Sequence, residues 1–175
     1  KDNETILDFG CGTGTLAIMA KRKSPNAKIC GVDVDFNILK IASNKTKKED
    51  CKISLQSYDG ISLPYEDETF DKVISSLVFH HLHREQKYII LNEIYRILKP
   101  GGELHILDFG KAKNFLMRIM FLPVQFFDGF SSTTDNIKGL LPEFIYKTGF
   151  LEVVKNRGIM TPLGTIAFYK AIKPL

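Results

Sequence analysis

Residues 6–14 read ILDFGCGTG, and this stretch narrows the fold more than any other in the chain. Ile6, Leu7 and Phe9 form a short apolar run suited to a buried parallel strand. Gly10, Gly12 and Gly14 follow at alternate positions, and from Thr15 the pattern turns helical. A strand that ends in a glycine turn and opens a helix lets the backbone approach a ligand closely. It also presents unpaired N–H groups at the helix start. Asp8 stands at the strand's end, where its carboxylate can accept from a polar or cationic group. The candidate binding set at this turn is Asp8, Phe9, Gly10, Cys11, Gly12 and Gly14.

The spacing separates this turn from its commonest relative. A dinucleotide-binding turn needs G-x-G-x-x-G, and here Thr15 takes the place of the third glycine, leaving D-x-G-x-G-x-G. Downstream, strand and helix patterns alternate with short connections. Thr5–Phe9, Ala27–Val32, Lys52–Gln56, Asp71–Ser76 and Glu103–Asp108 read as strands. Thr15–Arg22, Phe36–Lys48 and Arg84–Leu98 read as helices, the last with Ile90, Ile94 and Ile97 at helical spacing and a stop at Lys99-Pro100-Gly101-Gly102. This order predicts a parallel sheet covered by helices on both faces. A helix ending near Thr148-Gly149 then leads to two strand-like runs, Leu151–Asn156 and Thr165–Ala171. Their connection is too short for a crossover helix, so they are expected to pair antiparallel at the sheet's edge.

Composition adds bounds rather than identity. A chain of 175 residues, 44% hydrophobic and 25% charged, suits a single α/β domain spanning 1–175. The net charge of +4 tolerates an anionic partner without requiring one. The basic clusters Lys21-Arg22-Lys23 and Lys45 with Lys47-Lys48 fall at helix ends, where cations complement the macrodipole. Cys11, Cys30 and Cys51 fit neither a disulfide framework nor a zinc site, and point to a reduced, cytoplasmic protein. No run reaches the roughly 20 apolar residues of a membrane span. The first strand begins after only four residues, so an N-terminal cap is expected to be missing.

Further candidates follow the glycine turn at suitable distances. Asp33 closes the second strand in GVDVD, with Val34 beside it, nineteen residues after Gly14. Two carboxylate oxygens there match the two hydroxyls of a ribose, while Asp35 fits a helix cap. Asp59 follows the third strand in QSYDG, flanked by Tyr58 and Gly60; its simplest reading is an Asx turn. Ser75 and Ser76 end the fourth strand on the same rim. His80-His81-x-His83 invites a zinc reading, but no second ligand cluster accompanies it, and no metal is expected. An imidazole titrates near neutrality, so His80 and His81 are kept as candidates for taking a proton or contacting substrate.

The turn, the acidic residues and three longer stretches together resemble the class I S-adenosylmethionine-dependent methyltransferases. The segment 63–71, LPYEDETFD, is similar to that superfamily's LPFxDxxFD, and DKVISSLVFHHL (71–82) and EIYRILKPGGELHILD (93–108) follow in the family's order. The LDFGK run at 107–111 and the chain end resemble the ubiquinone/menaquinone biosynthesis methyltransferase group more closely. The resemblance implies a doubly wound, mostly parallel seven-stranded sheet of order 3-2-1-4-5-7-6 with a C-terminal antiparallel hairpin. It also implies S-adenosyl-L-methionine as cofactor and methyl transfer to a small molecule. The glycine turn would hold the cofactor's amino-acid end near Asp8, Asp33 its ribose and Asp59 its adenine amino group.

The stretch 115–130, FLMRIMFLPVQFFDGF, falls within an apolar insert spanning 111–133. It is either core, a lid over a lipophilic acceptor, or a membrane-surface patch. Two other functions stay open: an NAD-dependent oxidoreductase, and a non-catalytic partner-binding module on the same fold. Nucleic acid is not expected as a partner, because no basic stripe with interleaved aromatics appears.

Overall fold

The computed structural model describes residues 3–110, 130–155, 158–161 and 164–175. Strands β1 (Thr5–Phe9), β2 (Lys28–Asp33), β3 (Ile53–Ser57), β4 (Phe70–Ser76) and β5 (Leu98–Phe109) alternate with helices α1 (Thr15–Lys23), α2 (Phe36–Lys48) and α3 (Arg84–Ile97). A 3-10 turn at Phe79–His81 precedes α3. Helices α4 (Phe130–Lys138) and α5 (Leu141–Lys147) lead into β6 (Leu151–Lys155), β7 (Ile159–Thr161) and β8 (Gly164–Ile172).

The strands form one sheet in the order β3-β2-β1-β4-β5-β8-β6. The first five are parallel, and β8 runs antiparallel between β5 and β6. The expected order is the observed one, with β8 as the strand expected at 165–171. Ile166 pairs with Phe109 on one side and Ile159 on the other, so β7 continues the β6 edge. The expected sixth strand is thus one edge strand interrupted between Lys155 and Ile159.

Strand order reverses between β1 and β4, and a crevice outside the carboxyl ends of strands forms at such a point. Burial holds this frame rigid. Leu7, Phe9, Val32, Val73, Leu104 and Ile106 meet Ile90, Leu91, Ile94 and Ile97 of α3 and Phe144 and Ile145 of α5. Each fully buried side chain of this kind contributes roughly 1.5–3 kcal/mol. On the other face, Ala17 of α1 packs with Ile6, Ala27 and Ile29.

One boundary differs from the sequence expectation by more than a residue. β5 starts at Leu98 rather than Glu103, because Phe70 already pairs with Leu98 before the register shifts to Lys72 and Glu103. The Pro100-Gly101-Gly102 turn is also tied to the chain end. Gly101 N–H donates to Lys173 O, and Lys173 N–H donates to Gly102 O, both at 2.9 Å. Residues 111–129 of the expected insert lie outside the described residues, and only 130–133 fall in α4. No helix among the described residues is long and apolar enough to cross a membrane.

Candidate functional site

The glycine turn crosses from β1 to α1 over the carboxyl end of β2, and hydrogen bonds stitch the two together. Cys11 N–H donates to Val32 O at 3.0 Å, and Gly14 N–H to Cys11 O at 2.8 Å. Gly12 N–H donates to Asp33 Oδ2 at 2.9 Å, while Asp33 Oδ1 accepts from Asp35 N–H at 3.0 Å. Asp35 caps α2, accepting from Asn37 and Ile38.

Two of the glycines are required for different reasons. Gly10 has φ +66°, and a Cβ there would lie 2.4 Å from Val78 Cγ2, so the post-β4 loop packs directly on its backbone. Gly12 has φ +51°, yet a Cβ there would meet no atom of the described residues within 4 Å. Gly12 borders a cleft of about 760 Å³, so that space opens into the cleft rather than into the core.

Asp8 is 1% exposed, borders the same cleft, and its Oδ2 has no hydrogen-bond partner among the described residues. Burial pushes its carboxyl up to about 7; a hydrogen bond from the Ala17 backbone opposes the rise and the nearby Asp33 charge adds to it. A buried carboxylate oxygen without a partner costs free energy unless a ligand donor or cation meets it. Burial also raises the Cys11 thiol to about 12, so Cys11 is a small protonated wall residue rather than a nucleophile. Tyr58 is likewise raised to about 12 by burial and stays a neutral phenol.

Of the residues singled out in the sequence, Asp8, Gly10, Cys11, Gly12, Asp33, Val34, Tyr58, Gly60, Ser76 and His81 line the cleft together. Five others stand elsewhere. Phe9 is fully buried against Tyr58 and Phe79. Gly14 serves as the left-handed N-cap of α1. Ser75 is buried and donates to Phe9 O at 3.0 Å, tying β4 to β1. Asp59 is exposed, and its Oδ1 accepts from Ile61 and Ser62 N–H at 2.8 Å each, which is an Asx turn; these bonds hold its carboxyl below the usual range.

His80 is the fifth. Its side chain is 4% exposed, and its Nδ1 lies 2.8 Å from Asp108 Oδ1. Asp108, fully buried at the end of β5, also accepts from Phe79 N–H, Phe109 N–H and the Asn136 side chain. The histidine pair is therefore divided. His80 lies against His81 with ring centroids 3.9 Å apart and planes tilted by 40°, and is held in the fold, whereas His81 lines the cleft. Among the described residues no group of three His, Cys, Asp or Glu side chains converges as a metal site.

Residues without a polar signature complete the walls. Leu16 and Met19 of α1 and Ile38 of α2 line one side; Leu77, Val78, Leu82 and Leu107 line the other, with Gln86 beside them. Sequence alone does not mark them, since isolated apolar residues at strand ends look the same whether they face core or cleft.

Residues 6–102 match a family model described as a methyltransferase domain. The chain is 36% identical over 109 residues to a demethylmenaquinone methyltransferase of Thermus thermophilus, covering 62% of this chain and 49% of that protein. It is 30% identical over 149 residues to a 2-phytyl-1,4-naphtoquinone methyltransferase of Nostoc punctiforme, covering 83% of this chain and 63% of that one. The chain spans about half the length of the curated relatives it matches first. Among solved structures, an S-adenosylmethionine-dependent methyltransferase of Methanosarcina mazei superposes with a TM-score of 0.80 at 21% identity, over 100% of this chain and 94% of that one. The fold is the same.

Proposed function

Because the chain belongs to the methyltransferase-domain family, we propose that it transfers a methyl group from S-adenosylmethionine to a small lipophilic acceptor of the quinol type. The observation that carries this reading is Asp8 Oδ2, buried without a partner among the described residues on the wall of a cleft formed by the glycine turn. A ligand ammonium supplies what that oxygen lacks. The acceptor class is supported by the names of the relatives, which act on menaquinone- and phytylnaphthoquinone-type molecules, and by the leucines of the far wall.

In this reading Asp8 holds the ammonium, and Asp33 uses its remaining lone pairs for the ribose hydroxyls. Asp33 also fixes the Gly12 N–H, so it shapes the turn as well as contacting the ligand. When bound, the cofactor supplies a sulfonium methyl whose C–S bonding pair stays on sulfur as the acceptor's nucleophilic atom bonds the methyl carbon. The chain's contribution is alignment and exclusion of water. Leu77, Val78, Leu82 and Leu107 exclude water from the acceptor side. His81, the cleft-facing imidazole, takes the proton that the acceptor loses, while His80 is held by Asp108 and supports it.

The test incubates the chain with S-adenosylmethionine labelled in the methyl group and a reduced 2-prenyl-1,4-naphthoquinone. Mass spectrometry should find the label on the ring, with equal yield in EDTA. Label on no quinol, with label appearing instead on protein or nucleic acid, would overturn the acceptor class. Loss of activity in EDTA restored by zinc or magnesium would overturn the metal-free mechanism.

A further inference from the structure

Five non-glycine residues have left-handed backbone among the described residues: Asn3, Asp50, Glu68, Leu77 and Glu152. Four are polar. Leu77, with φ +57°, is the apolar one, and it alone of the five lines the cleft. An unbranched polar or glycine residue would adopt this conformation at lower cost, so leucine here conflicts with its own backbone. Such conflicts persist only where the surroundings impose them, and they gather at functional sites.

The surroundings do impose it. Leu77 N–H donates to Leu107 O at 2.8 Å, continuing the β4–β5 ladder one residue past its end. Val78 is seated on the Gly10 backbone. Phe79 N–H donates to the buried Asp108 carboxylate at 2.7 Å. Pinned on three successive residues, the chain turns left-handed at Leu77 and leaves that residue 40% exposed at the cleft. Packing does not explain a leucine at that place, since so much of it is uncovered.

Its location does. Asp33 and Tyr58, at the ends of β2 and β3, mark the cofactor side of the cleft, and Leu107, Leu82 and His81 mark the side beyond β4. Leu77 stands where the two meet, at the β1–β4 switch point. We propose that Leu77 is a specificity-determining residue of the methyl-transfer site, a fixed apolar stop that sets how the acceptor ring approaches the transferred methyl. This rests on the methyltransferase reading above.

The test compares wild type with Leu77→Gly and Leu77→Met. Glycine suits the left-handed backbone, so Leu77→Gly should melt no lower than wild type. Its affinity for S-adenosylhomocysteine should stay within about twofold, while kcat/KM for reduced 2-prenyl-1,4-naphthoquinone falls at least about tenfold. Leu77→Met, which restores an apolar side chain of similar volume, should recover most of that loss. Unchanged acceptor kinetics in Leu77→Gly overturns the proposal, as does a weakened homocysteine-ligand affinity or a lowered melting point, either of which makes Leu77 a cofactor or structural residue. A wild type that binds S-adenosylhomocysteine but neither binds nor methylates the quinol overturns the quinol reading and the Leu77 assignment together. A wild type that does not bind the homocysteine ligand overturns the methyltransferase reading itself.

Discussion

Asp8→Asn should make the unliganded protein more stable while weakening its ligand. The Asp8 carboxyl ionises near 3.8 when unfolded and at about 7 in the fold, because it is buried with one oxygen unserved. The folded-state value lies above the unfolded one. Stability from this group is therefore complete below pH 3.8 and is lost as pH rises through about 7. That span of roughly three pH units corresponds to about 4 kcal/mol. A buried amide in the same place keeps a desolvation cost of about 1–2 kcal/mol. The expected net gain at pH 8 is about 2–3 kcal/mol, or roughly 5–10 °C in melting temperature for a chain of this length. At pH 4 the gain should vanish or reverse. Scanning calorimetry of both proteins between pH 4 and 8 isolates Asp8 together with its coupling to Asp33 and Cys11, since titrating groups that do not interact with it cancel in the difference. Saturating S-adenosylhomocysteine should narrow the gap at pH 8, because its ammonium stabilises the wild-type carboxylate. If Asp8→Asn is no more stable at pH 8, or binds the homocysteine ligand as tightly as wild type, the buried oxygen is not waiting for a cation.

Other substitutions probe the rest of the site. Asp33→Ala should cost about 1.5–3 kcal/mol of cofactor affinity in a titration, the range for hydrogen bonds to a charged group, with part of the loss arising from the freed Gly12 N–H. Gly10→Ala should lower stability by about 2–4 kcal/mol in urea unfolding, since it adds a Cβ 2.4 Å from Val78 Cγ2 at φ +66°. Asp108→Asn should cost about 3–5 kcal/mol, measured in the same way. It places an amide among donors from Phe79, His80, Phe109 and Asn136 and leaves a buried imidazole without its carboxylate.

The alternation of strands and helices, and the meeting of the glycine turn with Asp33 at one cleft, were legible in the sequence because they rest on local signals, whereas the strand order followed from the family resemblance. Period-2 and period-3.6 patterns set the elements, and the G-x-G-x-G turn with Asp33 at the next strand's end needs no long-range information. The division of His80 from His81 was not legible. It depends on Asp108, twenty-eight residues away, reaching across from β5 to hold one ring. Leu77 was silent for another reason: a leucine code carries no sign of a left-handed φ, which three separate tertiary contacts impose. The early start of β5 was hidden because Pro100-Gly101-Gly102 reads as a stop, while its backbone pairs with residues at the chain end. At Asp59 the local signal was legible too, since its Oδ1 serves the Asx turn that the Asp59-Gly60 pair predicts.

The central claim is that the glycine turn and its acidic residues form an S-adenosylmethionine site. Isothermal titration of the chain with S-adenosylhomocysteine, in the presence and absence of NAD, tests it most directly, with Gly12→Val alongside. A Cβ at Gly12 meets no atom of the described residues within 4 Å and opens into the cleft, so the valine should abolish binding, while its strain at φ +51° costs about 1–2 kcal/mol and leaves the protein folded. One site for S-adenosylhomocysteine is expected, indifferent to NAD and absent in Gly12→Val. Tighter binding of NAD than of either adenosyl compound, or a Gly12→Val protein that binds like wild type, would contradict it.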